Sequence, residues 1–107
     1  MGALQLEVVT PLGVALRRSG LDKVVVRRRE PRFDQGSQIV VLPGHAPTLV
    51  RVAGHDLRYE DHGETRRMRV GAGFAEIRDD RVTLIVPEAQ PLAPVRGRGD
   101  PWGARPS

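Results

Sequence analysis

Short runs in which apolar and polar residues alternate, each closed by turn residues, most constrain the fold of this chain. In the first run Leu4, Leu6 and Val8 occupy alternate positions, and residues 10–13 close it with a proline and a glycine. A period of two is that of a half-buried β-strand, whereas a helix would repeat its apolar residues every three or four positions. The opening run is therefore predicted to be a strand that ends in a turn.

The same pattern recurs along most of the chain. A second strand is predicted to start at residues 14–16 and to lead to residues 17–20, and further strands are predicted at residues 24–26, 39–42, 48–52, 55–60, 66–70, 73–77 and 81–86. Roughly eight or nine short strands with turns every 8–12 residues are typical of a β-sandwich or barrel. The predicted fold class is therefore all-β, in one domain of short, mostly antiparallel strands.

Two stretches depart from this pattern. Residues 27–38 contain Pro31, Gly36 and many charged side chains, so they are predicted to form a mobile loop. From residue 91 onward prolines alternate with glycines and little apolar surface remains. Because such a composition cannot bury a core, we predict a sandwich over residues 1–90 and a disordered tail over residues 91–107.

Charge and composition limit the classes of function. The formal net charge of +4 and the pI near 10.9 permit binding to nucleic acid, anionic lipid or an acidic protein. Aromatic residues for base stacking are scarce, so nucleic-acid binding is the less favoured of these. Cysteine is absent, which excludes a disulfide framework and fits an intracellular location. Neither a signal peptide nor a membrane span is recognisable, so the protein is expected to be soluble or peripheral.

Residues with catalytic or metal-binding chemistry do not converge in this sequence. Potential metal ligands cluster around one predicted hairpin, but the two-residue period divides them between its two faces. They are His55, Asp56, Glu60, Asp61, His62 and Glu64. No serine lies in a nucleophile-elbow pattern, and no helix follows the glycines at residues 71–73, which are expected where backbones approach closely. We therefore predict no catalytic residue, no metal site and no cofactor.

The most specific motif is Val40-Val41-Leu42-Pro43-Gly44-His45-Ala46-Pro47-Thr48-Leu49. It resembles the signature loop of ATP synthase epsilon subunits. The resemblance extends, in the order found in that family, to residues 6–11, 22–26, 70–77 and 81–84. Agreement of several segments in one order is more specific than a single proline-rich loop between strands.

The resemblance implies a fold and a role. The fold is the family's amino-terminal β-sandwich of about ten strands. The role is that of a non-catalytic central-stalk subunit, which joins the gamma shaft to the c ring and couples ion translocation to ATP synthesis or hydrolysis. The expected location is the cytoplasmic face of a bacterial inner membrane, where the subunit is held through its complex. The isolated chain is expected to be monomeric and not to bind nucleic acid.

Site residues follow from the same resemblance. The gamma-binding residues would be Pro43, Gly44, His45, Ala46, Pro47, Thr48 and Leu49. The ring-facing residues would be Arg28, Arg29, Glu30 and Arg32. The family's loop at this second position is usually short and glycine-rich, whereas residues 27–38 are longer and charged. The family's carboxy-terminal pair of helices has no counterpart in residues 91–107, so its regulatory function and nucleotide site are expected to be absent.

Two functions from other classes stay open on the sequence alone. A small basic β-module would bind oligonucleotides in a strongly salt-dependent way. A metal-dependent enzyme built on the hairpin at residues 55–64 would carry a stoichiometric transition metal.

Overall fold

The computed structural model describes residues 2–30, 33–54 and 56–92. Within these ranges the chain forms ten strands and no helix, so it has no helical segment able to span a membrane. The strands are β1 Leu4–Thr10, β2 Gly13–Leu21, β3 Lys23–Glu30, β4 Phe33–Val41, β5 Thr48–Val52, β6 Asp56–Asp61, β7 Glu64–Val70, β8 Gly73–Arg78, β9 Arg81–Ile85 and β10 Ala89–Pro91. The all-β prediction is confirmed.

The strands form two layers that share one core. Layer I contains β4, β3, β6, β7 and β10 in spatial order, and layer II contains β5, β8, β9, β1 and β2. Every pairing is antiparallel except that of β1 with β9. The layers are continuous at one corner, where Arg28 of β3 pairs with Val52 of β5. There the Ala53 N–H also donates to the Arg27 carbonyl at 2.9 Å.

The core consists of the apolar positions that the two-residue period directs inward. In β9, Val82 and Leu84 are fully buried whereas Thr83 and Ile85 face outward. Among the described residues, no buried side chain is polar or charged. Burial of apolar surface stabilises such a domain by roughly 25 cal/mol per Å². The alternation in the sequence therefore predicts both the strands and the side of each strand that packs.

The prediction of a loop over residues 27–38 is wrong for residues 27–30 and 33–38, which lie in strands, and the mobility of the segment stays a prediction. β3 continues to Glu30 and β4 begins at Phe33. Within the ladder that these two strands form, Arg27 pairs with Gln38. The ladder needs only backbone N–H and C=O groups, so charged side chains do not interrupt it. Apolar pairs at the other end of this hairpin, such as Val24 with Val41, set the register that the charged residues continue.

The end of the described chain adds a strand that the sequence did not predict. β10 pairs with the edge strand β7, and the Leu92 N–H then donates to the Arg67 carbonyl at 3.1 Å. Residues 93–107 lie outside the described residues. The division at residue 90 and the disordered tail therefore stay predictions.

Candidate partner-binding surfaces

The loop between β4 and β5, residues 42–47, is held in shape by hydrogen bonds and is here called the proline loop. The His45 N–H donates to the Leu42 carbonyl at 3.1 Å, and the Thr48 hydroxyl donates to the Ala46 carbonyl at 2.8 Å. Gly44 has a φ of 86°, a conformation that glycine adopts without steric cost. A loop with this many internal contacts loses little conformational entropy when it binds a partner.

A distant carboxylate also anchors the proline loop. The Gly44 N–H donates to Oδ1 of Asp80 at 2.7 Å, across 36 residues of chain. Asp80 belongs to the two-residue turn between β8 and β9, where Asp79 and Asp80 have φ values of 52° and 59°. Positive φ at both central residues is the pattern of a type I′ turn. Sequence reasoning assigned the turn but missed this contact, because no local signal names a partner so far along the chain.

Replacing Asp80 with Ala is expected to loosen the proline loop. Loss of the bond to Gly44 should cost about 1 kcal/mol, which corresponds to roughly fivefold faster exchange of the Gly44 amide hydrogen. Hydrogen exchange followed by NMR measures this directly. Asp79→Ala is the matched control, because it alters the same turn without touching Gly44, and Asp80→Asn retains an acceptor oxygen. Equal acceleration in the two alanine variants would attribute the effect to turn strain instead.

An exposed apolar surface crosses the outer face of layer II. It consists of Val14, Val9, Ile85 and Phe74, which lie side by side because Val9 pairs with Val14 and with Ile85, and Ile85 pairs with Phe74. Val14 is 50%, Ile85 56% and Phe74 49% exposed. We call these residues the apolar stripe. Single exposed apolar residues are ordinary, but a contiguous set is typical of a contact surface.

The apolar stripe adjoins the motif that the sequence analysis singled out. Leu49, its last residue, is 72% exposed and pairs with Glu76 of β8, two residues from Phe74 on the same face. Leu49, the last of the predicted gamma-binding residues, therefore lies on the same face of the sandwich as the stripe. Sequence reasoning named Leu49 but missed the stripe. A signal was present, since consecutive apolar residues such as Leu84 and Ile85 leave one of the pair facing outward.

Of the predicted ring-facing residues that the structure describes, Glu30 lies at the opposite end of β4 from the proline loop. Arg28 and Arg29 are exposed near the end of β3, and Glu30 pairs through its backbone with Phe33. Arg32 lies outside the described residues. Glu30 pairs with Phe33 at the start of β4, so at about 3.4 Å per residue it lies roughly 27 Å from the proline loop, whereas Arg28 pairs with Ser37, about halfway along β4. The Glu30 end of this hairpin is thus well separated from the proline loop, whereas Arg28 lies between the two.

The hairpin at residues 56–64 shows ion pairs in place of a ligand cluster. Oε2 of Glu60 lies 3.0 Å from Nζ of Lys23, Oε1 of Glu64 accepts from Arg66 at 2.9 Å, and Asp61 contacts His62 at 2.6 Å. In the part of the chain that the structure describes, no three histidine or acidic side chains are arranged to hold a metal. His55 lies outside it. The geometry gives no support to the metal-dependent alternative.

Known proteins are similar to this chain in sequence and in fold. The model of a family described as the β-sandwich domain of the ATP synthase delta/epsilon chain matches residues 3–92. The ATP synthase epsilon chain of Granulibacter bethesdensis is 38% identical over 96 residues, which are 89% of this chain and 66% of that protein. That of Staphylococcus aureus is 31% identical over 90 residues, 84% of this chain and 63% of that protein. This chain thus spans just under two thirds of the length of these relatives.

Two solved structures have the same fold. A chain in the Euglena gracilis mitochondrial ATP synthase, in a structure of OSCP, F1 and the c ring, superposes with a TM-score of 0.71 at 22% identity. That match covers 85% of this chain and 54% of the other. A chain from the central stalk and c ring of the Tetrahymena thermophila enzyme gives a TM-score of 0.62 at 12% identity, over 83% and 68% of the two chains.

Proposed function

This chain belongs to the family of ATP synthase delta/epsilon β-sandwich domains, and from that premise we propose that it is a central-stalk subunit of an F-type ATP synthase. In this role it joins the gamma shaft to the c ring and couples ion translocation to ATP synthesis or hydrolysis, without catalysing a reaction itself. It acts at the cytoplasmic face of a bacterial inner membrane, as a peripheral part of the complex. The observation that carries the proposal is the apolar stripe beside the proline loop.

The stripe and the loop form the gamma-binding surface. Half-exposed side chains such as Phe74 and Ile85 still have apolar area to bury, and its removal from water drives association. The proline loop contributes specificity, because its hydrogen bonds fix it before the partner arrives. This division between an apolar contact and a shaped loop is typical of stable protein interfaces.

The far end of the β3–β4 hairpin forms the ring-binding surface. Arg28, Arg29, Glu30 and Arg32 carry mostly positive charge there, which favours acidic or carbonyl-rich loops on the ring. Between the two contacts lies a sandwich with one apolar core and continuous ladders. Close packing makes such a body stiff, so rotation applied at the ring end is transmitted to the shaft with little shear.

Co-expression with the gamma subunit of the same organism tests this function. We expect a one-to-one complex that survives gel filtration at micromolar concentration, because stable interfaces commonly bury about 1,600 Å² in total. The isolated chain supplies the reference elution volume of the monomer. Complete separation of the two proteins at that concentration would contradict the proposal. If the chain formed a complex with nucleic acid and not with the gamma subunit, the alternative of a small basic β-module would be favoured.

A further inference from the structure

A concavity on the outer face of layer I is lined by arginines. Its volume is about 200 Å³, and its lining includes Val25, Arg27, Gln38, Asp56, Arg58 and Arg67. This face is on the opposite side of the sandwich from the apolar stripe, which lies on layer II. The concavity is therefore separate from the surface assigned to the gamma shaft.

Strand register brings the arginines together. Arg58 of β6 pairs directly with Arg67 of β7, and on its other side pairs with Val25 of β3. Arg27 is two residues beyond Val25, on the same face of β3. Like charges directly opposite each other in neighbouring strands destabilise a sheet. An anion in this depression would reduce the repulsion between Arg58 and Arg67.

The arginines in this region outnumber the carboxylates among the described lining residues. Asp56 is the single carboxylate among the described residues that line the concavity, and its Oδ2 lies 3.8 Å from Nη1 of Arg67. Within the described ranges Arg58 forms no ion pair, and the buried Nε of Arg67 has no acceptor. The guanidinium group of Arg58 is therefore available to a ligand that supplies acceptor oxygens, whereas the Nε of Arg67 is enclosed by protein atoms.

We propose that this concavity binds a phosphate group through Arg58 and Arg67, with Arg27 adding charge at its edge. Guanidinium groups match phosphate oxygens in paired hydrogen bonds and shed water more easily than an ammonium group. A divalent anion also offsets the excess positive charge that the strand register creates. The group can belong to free phosphate or to a phospholipid headgroup, which present the same oxygens.

Titration of the whole chain with inorganic phosphate and with pyrophosphate, followed by NMR at low ionic strength, tests the site. We expect saturable shifts of the amides in β3, β6 and β7. The double variant Arg58→Gln, Arg67→Gln should bind about tenfold more weakly or worse, since hydrogen bonds to charged groups contribute strongly. The control Arg78→Gln, Arg81→Gln removes the same charge from layer II and should leave binding nearly unchanged.

Loss of binding in the double variant could also result from misfolding, so a variant that is expected to gain affinity is tested beside it. Asp56→Asn removes the carboxylate found among the described lining residues, which repels an anion, so phosphate should bind more tightly than to the unmodified chain. Weaker binding in Asp56→Asn would contradict the proposal. Absence of saturable shifts, or equal losses in the two double variants, would overturn it.

Vesicle flotation distinguishes the two sources of phosphate. Vesicles of phosphatidylcholine with phosphatidylglycerol are compared with vesicles of phosphatidylcholine alone. Binding to the anionic vesicles that is lost with Arg58→Gln, Arg67→Gln and kept with Arg78→Gln, Arg81→Gln assigns the site to a lipid headgroup. Saturable binding of free phosphate without vesicle binding assigns it to a soluble anion. If neither free phosphate nor anionic vesicles bind, the proposal of a phosphate site is wrong.

Discussion

Ile85→Asp is expected to abolish co-elution with the gamma subunit and leave the sandwich folded. Ile85 lies in the middle of the apolar stripe, between Phe74 and Val9, and is 56% exposed. In the free chain the new carboxylate stays in water. In the complex it would be placed against apolar surface at a cost of about 3 kcal/mol or more. That cost weakens association by more than about a hundredfold.

The control for this variant is Val40→Asp. Val40 is 46% exposed on the outer face of layer I, so the same change of chemistry falls on the other side of the sandwich. We expect this variant to elute with the gamma subunit as the unmodified chain does, and both variants to keep thermal transitions close to that of the parent. If Ile85→Asp bound normally, the stripe would not be the shaft contact. If both variants lost binding, the loss would not be specific to the face that carries the stripe.

Gly73→Ala is expected to destabilise the domain by about 3 kcal/mol or more, a large share of the 5–15 kcal/mol typical of a native protein. Gly73 begins β8 and pairs with Val52. A Cβ atom there would overlap the carbonyl oxygen of Ile85 and lie 3.0 Å from the Cα of Val86. These obstacles are backbone atoms, which cannot rotate away as a side chain would. Denaturation by urea, followed by circular dichroism, measures the loss.

Gly63→Ala separates steric overlap from backbone strain. Gly63 has a φ of 82° in the turn between β6 and β7, and a Cβ added to it meets nothing within 4 Å. Alanine in a left-handed conformation costs about 1–2 kcal/mol, so this variant should lose less stability than Gly73→Ala. Similar losses in both variants would show that close approach at Gly73 is not the main constraint. The sequence prediction that the glycines at residues 71–73 mark close backbone contact is confirmed for Gly73, whereas a Cβ added to Gly71 would meet the ring of Pro87.

The sequence was most informative where a feature is local. Predicted residues 48–52 coincide with β5, and residues 81–86 overlap β9 at Arg81–Ile85, because apolar alternation is visible within one strand. The signature motif likewise indicated the family and named Leu49, since its residue order is contiguous. The motif could not show that its loop is hydrogen-bonded to Asp80. This contact depends on the position of the turn between β8 and β9 beside the end of β4.

Residues far apart in the chain form the candidate surfaces, and only the tertiary structure shows their arrangement. The sequence by itself determined the all-β class, the inward face of most strands and the family, because these depend on a repeat of two residues and on residue order. The fold decided that β3 and β4 continue through charged residues, that β1 pairs in parallel with β9, and that the apolar stripe and the arginine concavity lie on opposite faces. Pairing and register are non-local: a side chain's neighbours across the sheet depend on which strand lies beside it, and no local period records that.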